Sequence, residues 1–337
     1  MQPSVRIPAS YCGLVGFKAT WGLVPYSGIL SLHADIDHCG PMTRSVRDNA
    51  ALLEAIAGPD GFDDRQPYTM IPETLKYTKH LDEFLAASKN SSKPLESFKI
   101  GVLKEGFEMS LLDPSVDKAV RSAIDDLKSL GAEVTEVSIP EHKKICGAWT
   151  CVQALAGSRD GLLGDQTGRK GLQMTDRAQS YEPSLSQERF DSLGAGAKNL
   201  YMKHLYVMEK YGVLVHAKAT NVIRRQCRAY DAVLGSLDAL VMPTIPFPAP
   251  RIFLEDETAS PLQRLLRVAG TVLNTAPFNA TGHPALTLPV GFVSAQDNAK
   301  IKLPTGLQIV GKHFGESTCL KIAAAWERSK EWKKFDY

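Results

Sequence analysis

No stretch of this chain approaches the roughly 18 consecutive apolar residues that a membrane span requires. The opening MQPSVRIPAS holds neither an apolar signal core nor a basic amphipathic stretch. Excess charge of one sign is also missing. The 39 Lys and Arg residues nearly balance 37 Asp and Glu, leaving a formal net charge of +2. A protein that binds nucleic acid or an anionic membrane surface carries a concentrated basic excess, so neither partner is expected. The basic cluster Arg224, Arg225 and Arg228 lies in a helical pattern with apolar neighbours and reads as a solvated helix face. Cysteine is sparse, and Cys12, Cys39, Cys146, Cys151, Cys227 and Cys319 form no CxxC pair. Free thiols in a reducing, cytoplasmic compartment are the expectation. A G-x-S-x-G elbow, a P-loop and a dinucleotide-binding glycine fingerprint are all absent.

What is present is the balance of an ordinary globular protein: 337 residues, 44% hydrophobic and 23% charged, enough for a core of normal size. Residues 12–28 read as short strands and glycine-rich turns. Thr43 is placed to cap a helix carrying Val46, Leu52, Leu53 and Ile56 on one side, stopped by Gly58-Pro59. Residues 60–97, with Pro67, Pro72 and Pro94, read as a surface excursion. Phe98–Leu103 reads as a buried strand. Asp113-Pro114 opens a helix with Val116, Val120, Ile124, Leu127 and Leu130 on its apolar side, ended by Gly131. Glu133–Ile139 alternates like a strand. This strand–helix–strand unit points to α/β architecture. Further on, a helix is expected over Leu205–Leu237, a strand over Asp238–Met242 and a helix over Leu262–Asn274. Strands at Pro284–Pro289 and Gly306–Gly311 and a closing helix over Ser317–Arg328 complete the pattern. Residues 146–200 show weak periodicity. With neither repeats nor a clear linker, a single domain is expected.

Two constellations invite a chemical reading. His33-Ala-Asp-Ile-Asp-His-Cys39 packs several ligand types into seven residues, but nothing distant obviously completes a metal site, so local hydrogen bonding is expected. Cys146 and Cys151 read as two buried thiols rather than a redox couple. Neither a metal nor an organic cofactor is expected.

The segment Ser4-Val-Arg-Ile-Pro-Ala-Ser-Tyr-Cys-Gly-Leu-Val-Gly-Phe-Lys-Ala-Thr-Trp-Gly-Leu-Val-Pro25 resembles the signature stretch of the amidase signature family. Ile36–Thr43, Asp48-Asn-Ala, Ile56-Ala-Gly58, Asp238–Thr244, Asn279–Ala285, Leu288–Gly291 and Leu303–Gly311 follow in that family's order. The resemblance runs over nearly the whole chain and is similar to bacterial amidases acting on short aliphatic and aromatic amides. It implies an α/β fold with a mixed β-sheet covered by helices. It also implies Ser–cis-Ser–Lys chemistry: a neutral Lys draws a proton through a bridging Ser, and the nucleophilic Ser forms an acyl-enzyme with a small-molecule amide. By position Ser4 matches the nucleophile. By analogy with the family, residues 146–200 and the loop after Pro243 line the acyl pocket. Trp149 and Phe247 could shape that pocket, with core packing the expected role of either aromatic.

The sequence departs from the family pattern around Ser4. Three residues precede it, so no residue matches the bridging Ser or the Lys, which the family places upstream. Gln2 and Pro3 stand in the oxyanion region where the family has Gly-Gly, and Pro3 has no N–H to donate. The expectation is therefore residues 1–337 as the C-terminal part of a single amidase domain, N-terminally truncated and inactive as it stands. Left open are a longer enzyme of which this is a part, a short non-catalytic relative, and a chain completed by a partner. A fold incomplete at its N-terminus is expected to leave apolar surface and strand edges open and to favour homo-oligomers.

Overall fold

The computed structural model describes residues 5–66, 75–165, 170–254 and 258–330. Among the described residues, seven strands form one mixed sheet: β1 (Val15–Lys18), β2 (Met42–Thr43), β3 (Lys99–Leu103), β4 (Glu133–Val137), β5 (Ala239–Pro243), β6 (Ala285–Ser294) and β7 (Lys302–Gly311). Their order is β2-β1-β6-β7-β5-β3-β4. β3 runs parallel to both β4 and β5, and the remaining pairings are antiparallel. The central strands are the ones the sequence makes apolar on both faces. All five residues of β5 are buried, as are Ala285–Pro289 of β6 and Thr305–Gly311 of β7. β4, on the edge, is half exposed.

The helices are α1 (Arg6–Cys12), α2 (Val46–Ile56), α3 (Tyr77–Ala87), α4 (Pro114–Ser129), α5 (His142–Val152), α6 (Thr175–Gln179), α7 (Gln187–Ser192), α8 (Ala195–Tyr211), α9 (Leu214–Leu234), α10 (Pro261–Leu266), α11 (Ala276–Thr281) and α12 (Glu316–Ser329). Side chains on a strand alternate between faces. An added Cβ on Gly306 would meet Ser10 of α1, whereas one on Gly311, five residues on, would meet Cys319 of α12. α1 and α12 therefore cover opposite faces of β7. α1 comes in close because small residues oppose each other. A Cβ on Gly16 of β1 would collide with Ala9 Cβ.

α4 forms as its pattern predicts. Asp113 Oδ1 accepts from Ser115 N at 2.8 Å, Pro114 takes the first turn, and Val116, Val120, Ile124 and Leu127 are buried. Each such burial contributes about 1.5–3 kcal/mol. Gly131, with φ 99°, ends the segment in a backbone conformation other residues resist.

Several expectations are corrected. Ser45, not Thr43, caps α2: its extended backbone lets Oγ accept from Asp48 N, while Thr43 pairs with Val15 in β2. The stretch 60–97 is not wholly a surface excursion. α3 lies within it and buries Tyr77 and Leu81 against the core, and Pro94 falls beyond its end. Pro67 and Pro72 lie outside the described residues. The expected helix over Leu205–Leu237 is two helices, broken at Gly212, whose φ is 62°. The helix expected over Leu262–Asn274 stops at Leu266. Asn274 is instead fully buried, its amide donating to the carbonyls of Gly106 and Pro243, and those bonds override helix continuation. α1 is a helix that the sequence pattern does not signal. It is short, and Pro8 sits in its first turn, where proline is tolerated. Within residues 146–200, α5 continues into a wide π-type turn over Gln153–Leu162, whose spacing hides it from a 3.6-residue search.

Exposed apolar side chains gather at the junction of α8 and α9, where Leu205, Tyr206, Tyr211, Val213 and Leu214 all face solvent.

The close seat of α1 gives a stability test. A Cβ on Gly306 would stand 2.6 Å from Thr287 Oγ1 and 2.8 Å from Ser10 Oγ, so Gly306→Ala should cost about 1–3 kcal/mol. Gly147→Ala on α5, where a Cβ meets nothing within 4 Å, should be neutral or slightly stabilising. Urea denaturation of the two variants beside the parent measures the difference.

Candidate active site

The chain entering α1 is held by one buried cation. Arg6 is 1% exposed, and its guanidinium donates to Gln308 Oε1 at 2.5 Å, to the Thr275 carbonyl at 2.8 Å and to Asn279 Oδ1. All three acceptors are neutral. Burial pushes the Arg6 guanidinium down to about 9 from its usual range. Each partner is itself tied. Gln308 on β7 donates its amide to the Asn274 carbonyl at 2.8 Å, and Asn279 on α11 donates to the Ile36 carbonyl at 2.9 Å. His38 Nε2 donates to the Asn279 carbonyl, and burial with nearby Lys18 keeps that imidazole neutral, well below its usual range. Segments near residues 6, 36, 279 and 308 thus meet at one point on the sheet.

The network extends inward from Asn274. Its Oδ1 accepts from His142 Nε2 at 2.9 Å, and His142 Nδ1 meets the Tyr230 hydroxyl at 2.7 Å. On the other side, Lys18 is fully buried and points its ammonium at the Ala19 carbonyl, 2.6 Å away. Burial pushes Lys18 well below its usual range and raises Glu316, whose Oε1 accepts from Thr20 N at 2.7 Å.

Ser4, Gln2 and Pro3 lie outside the described residues; Val5 and Arg6 are their first described neighbours. Trp149 and Phe247 are both buried. Trp149 lines a cavity of about 380 Å³ with Thr150, Gln153, Leu200, Leu262 and Leu266. Phe247 is not among the residues around it. Part of the 146–200 region therefore does line a cavity, together with α10 rather than with the loop after Pro243.

The His33–Cys39 segment is bonded locally only through Asp35 and Asp37, while its histidines also reach residues far off in the chain. His33 Nδ1 meets Asp160 at 2.7 Å and its Nε2 lies 3.3 Å from Asp35, while Asp37 accepts from Ser31 Oγ and His33 N. His38 turns away to Asn279. Burial pulls His33 down, but the Asp160 and Asp35 bonds outweigh it and raise the imidazole to about 9. Cys146 and Cys151 are free thiols.

A second cluster joins residues that the sequence keeps far apart. Cys227 and Asp231 stand one helical turn apart on α9. His283 follows α11, and His313 follows β7. Single donor atoms of Cys227, His283 and His313 all lie within 4.8 Å of one another. Burial, then His313, drives His283 down to about 3, and burial, then Asp231, lifts the Cys227 thiol to about 12. The i,i+4 Cys/Asp spacing was the only local signal, and the two histidines are far off in sequence. Arg6, Gln308 and Asn279 were likewise hidden inside motifs quoted for their order. An arginine flanked by Val5 and Ile7 was the clue to a buried cation.

Against known proteins, the family model described as Amidase matches residues 3–320. The chain is 36% identical over 330 residues to an enantioselective amidase of Rhodococcus rhodochrous, covering 95% of this chain and 58% of that protein. It is 33% identical over 332 residues to a glutamyl-tRNA(Gln) amidotransferase subunit of Geotalea daltonii, covering 98% of this chain and 63% of that one. Among solved structures, a bacterial aryl acylamidase of the amidase signature enzymes superposes with a TM-score of 0.70 at 20% identity, covering 98% of this chain and 61% of that chain. The chain therefore spans less than two thirds of the length of these relatives.

Two measurements test the electrostatics. Arg6→Met removes the guanidinium donors from three buried carbonyl oxygens and leaves the Gln308 and Asn279 side-chain oxygens without them, so unfolding free energy should drop by about 2–4 kcal/mol in urea. For His33, the folded chain holds the proton more tightly than an unfolded one, whose ordinary value is 6.5. Stability carried by the imidazolium is then full below 6.5 and is lost as pH rises through about 9. Over that window the parent should lose on the order of 2–3 kcal/mol more than His33→Gln. Equal pH profiles would remove the ion-pair account.

Proposed function

The chain belongs to the amidase family, and we propose that it is the C-terminal part of a single amidase domain that hydrolyses small carboxylic amides through an acyl-enzyme on Ser4. The convergence of family motifs on Arg6 carries this reading. Two residues beyond Ser4, the chain is tied to β7 and α11 through the hydrogen bonds of a buried guanidinium. A nucleophile needs that kind of fixed approach, because an attack geometry wrong by about 1 Å can cost about 100-fold in rate.

In this mechanism the Ser4 hydroxyl gives up its proton, and its oxygen attacks the amide carbonyl. The tetrahedral oxyanion collapses with expulsion of ammonia or an amine, which takes a proton as it leaves. Water then adds to the ester and releases the carboxylic acid. Backbone N–H groups around Ser4 hold the oxyanion. The proton acceptor that the resemblance implies is a neutral Lys acting through a bridging Ser, and none of the 337 residues matches either. Expressed as these residues alone, the chain is therefore proposed to be inactive. The proposed setting is the cytoplasm, with a small-molecule amide as partner. Among the described residues, no helix is long and apolar enough to cross a membrane.

One observation favours a second, non-catalytic reading. Pro3 stands where an oxyanion donor is needed, and loss of one such donor costs about 10²–10³ in rate.

The test fuses the N-terminal segment of the Rhodococcus rhodochrous amidase, up to the residue aligned with Gln2, to this chain. Incubation with a fluorophosphonate probe and intact-mass measurement follow. The expected result is one label per fusion, absent in Ser4→Ala and in the 337-residue chain. Pro3→Gly should raise amide turnover by about 10²–10³-fold. A folded fusion that takes no label, with or without Pro3→Gly, would support the non-catalytic reading.

A further inference from the structure

Three separate parts of the fold bring metal-ligand atoms to one point away from Arg6. α9 supplies Cys227 and Asp231, the turn between α11 and β6 supplies His283, and the loop between β7 and α12 supplies His313. We propose that Cys227, Asp231, His283 and His313 form a four-ligand site for a zinc ion.

The spacing suits that ion. With Zn–N near 2.0–2.1 Å and Zn–S near 2.3 Å, donors around a tetrahedral zinc stand roughly 3.3–3.7 Å apart. Asp231 Oδ1 lies 3.1 Å from His283 Nε2 and 3.4 Å from His313 Nδ1, and Asp231 Oδ2 lies 3.7 Å from Cys227 Sγ. Cys227, His283 and His313 each place one donor atom within 4.8 Å of the other two, and Asp231 reaches the rings and the thiol through different oxygens, so a rotation of this half-exposed carboxylate with a small contraction completes the set. One thiolate, two imidazoles and a carboxylate are a donor set that zinc accepts.

The outer atoms make the stronger argument. Metal-bound histidines hold their second ring nitrogen on a hydroxyl, carbonyl or carboxylate, which fixes the ring and its tautomer. Thr281 does this for both rings. Its Oγ1 lies 2.9 Å from His283 Nδ1, and its carbonyl lies 3.1 Å from His313 Nε2. With Thr281 occupying those nitrogens, His283 Nε2 and His313 Nδ1 are left facing the same carboxylate. Gly282, with φ 81°, makes the turn that lets one threonine serve both rings. A simple His–Asp hydrogen bond would need one imidazole, not two rings with centroids 4.0 Å apart, tilted by 40°, that share a single carboxylate oxygen.

The site is reachable. Asp231 is half exposed, and His313 lines a cavity of about 520 Å³ with Thr281, Gly282 and Arg224. Exposed Arg224 beside Cys227 opposes a cation, and the Asp231 carboxylate offsets it. On binding, the Cys227 sulfur gives its proton to solvent and its lone pair to the ion, with no change of oxidation state. The ion would tie α9 to the ends of β6 and β7, a structural role consistent with four protein ligands.

The experiment uses the whole 337-residue chain, stripped with a chelator and titrated with Zn²⁺ alone and with Co²⁺ alone. The expected result is one Zn²⁺ per chain, and Co²⁺ spectra of tetrahedral intensity with a thiolate-to-cobalt charge-transfer band. Cys227→Ser should abolish that band, and His313→Ala should weaken Zn²⁺ binding by at least about 100-fold. Thr281→Val keeps all four ligands but loses one outer hydrogen bond, so affinity should fall by about 10–100-fold. Circular dichroism confirms that each variant stays folded. No stoichiometric Zn²⁺ binding, or binding unchanged in both Cys227→Ser and His313→Ala, overturns the proposal.

Discussion

The arrangement rests on a guanidinium that is out of water and has no counter-ion among the described residues. Among the described residues Arg6 donates to neutral oxygens alone, from Gln308, Asn279 and the Thr275 carbonyl. Burying a charge is costly, and that cost is tolerable only where several good hydrogen bonds converge on it. The consequence is a narrow choice of geometry. β7 must present Gln308, α11 must present Asn279, and the turn before it must aim a carbonyl inward, all at one spot. Any shift of the β7 register by one residue would turn Gln308 to the opposite face and leave the cation unpaired.

The same economy appears in the neighbouring polar groups. Asn274 uses its amide on the carbonyls of Gly106 and Pro243 and its oxygen on His142, which in turn reaches Tyr230. These bonds cross-link the end of β5, the loop before α11 and helices α5 and α9. A fully satisfied buried network is rigid because every member loses a full hydrogen bond if it moves. It stands beside an apolar core that is permissive by comparison. Val, Leu and Ile side chains on β5, β6 and β7 pack well, but no single contact among them dictates a unique position.

Close backbone approach is the other constraint. α1 lies almost on the sheet because Ala9 faces Gly16 and Ser10 faces Gly306. The nearness allows an Arg side chain to reach across β7 into the hydrogen-bonding groups beneath. A larger residue at either glycine would lift the helix and withdraw the guanidinium from its acceptors.

Local physics was readable without any structure. The Asp113-Pro114 start and the apolar spacing of Val116, Val120, Ile124 and Leu127 specify α4, because capping and 3.6-residue periodicity act within a few residues. The strands of the sheet core and the closing helix were legible for the same reason, and the order of motifs identified the family. The break at Gly212, the early stop of α10 and the hidden helix α3 were not, since tertiary bonds and packing override weak local preference there. The two polar centres were wholly a matter of tertiary structure. Arg6 and Gln308 are 302 positions apart, and His283 and Asp231 are 52 apart. No pattern in the sequence measures such distances. Only the strand order β1-β6-β7-β5, which joins the two ends of the chain in adjacent positions, brings these atoms within bonding range.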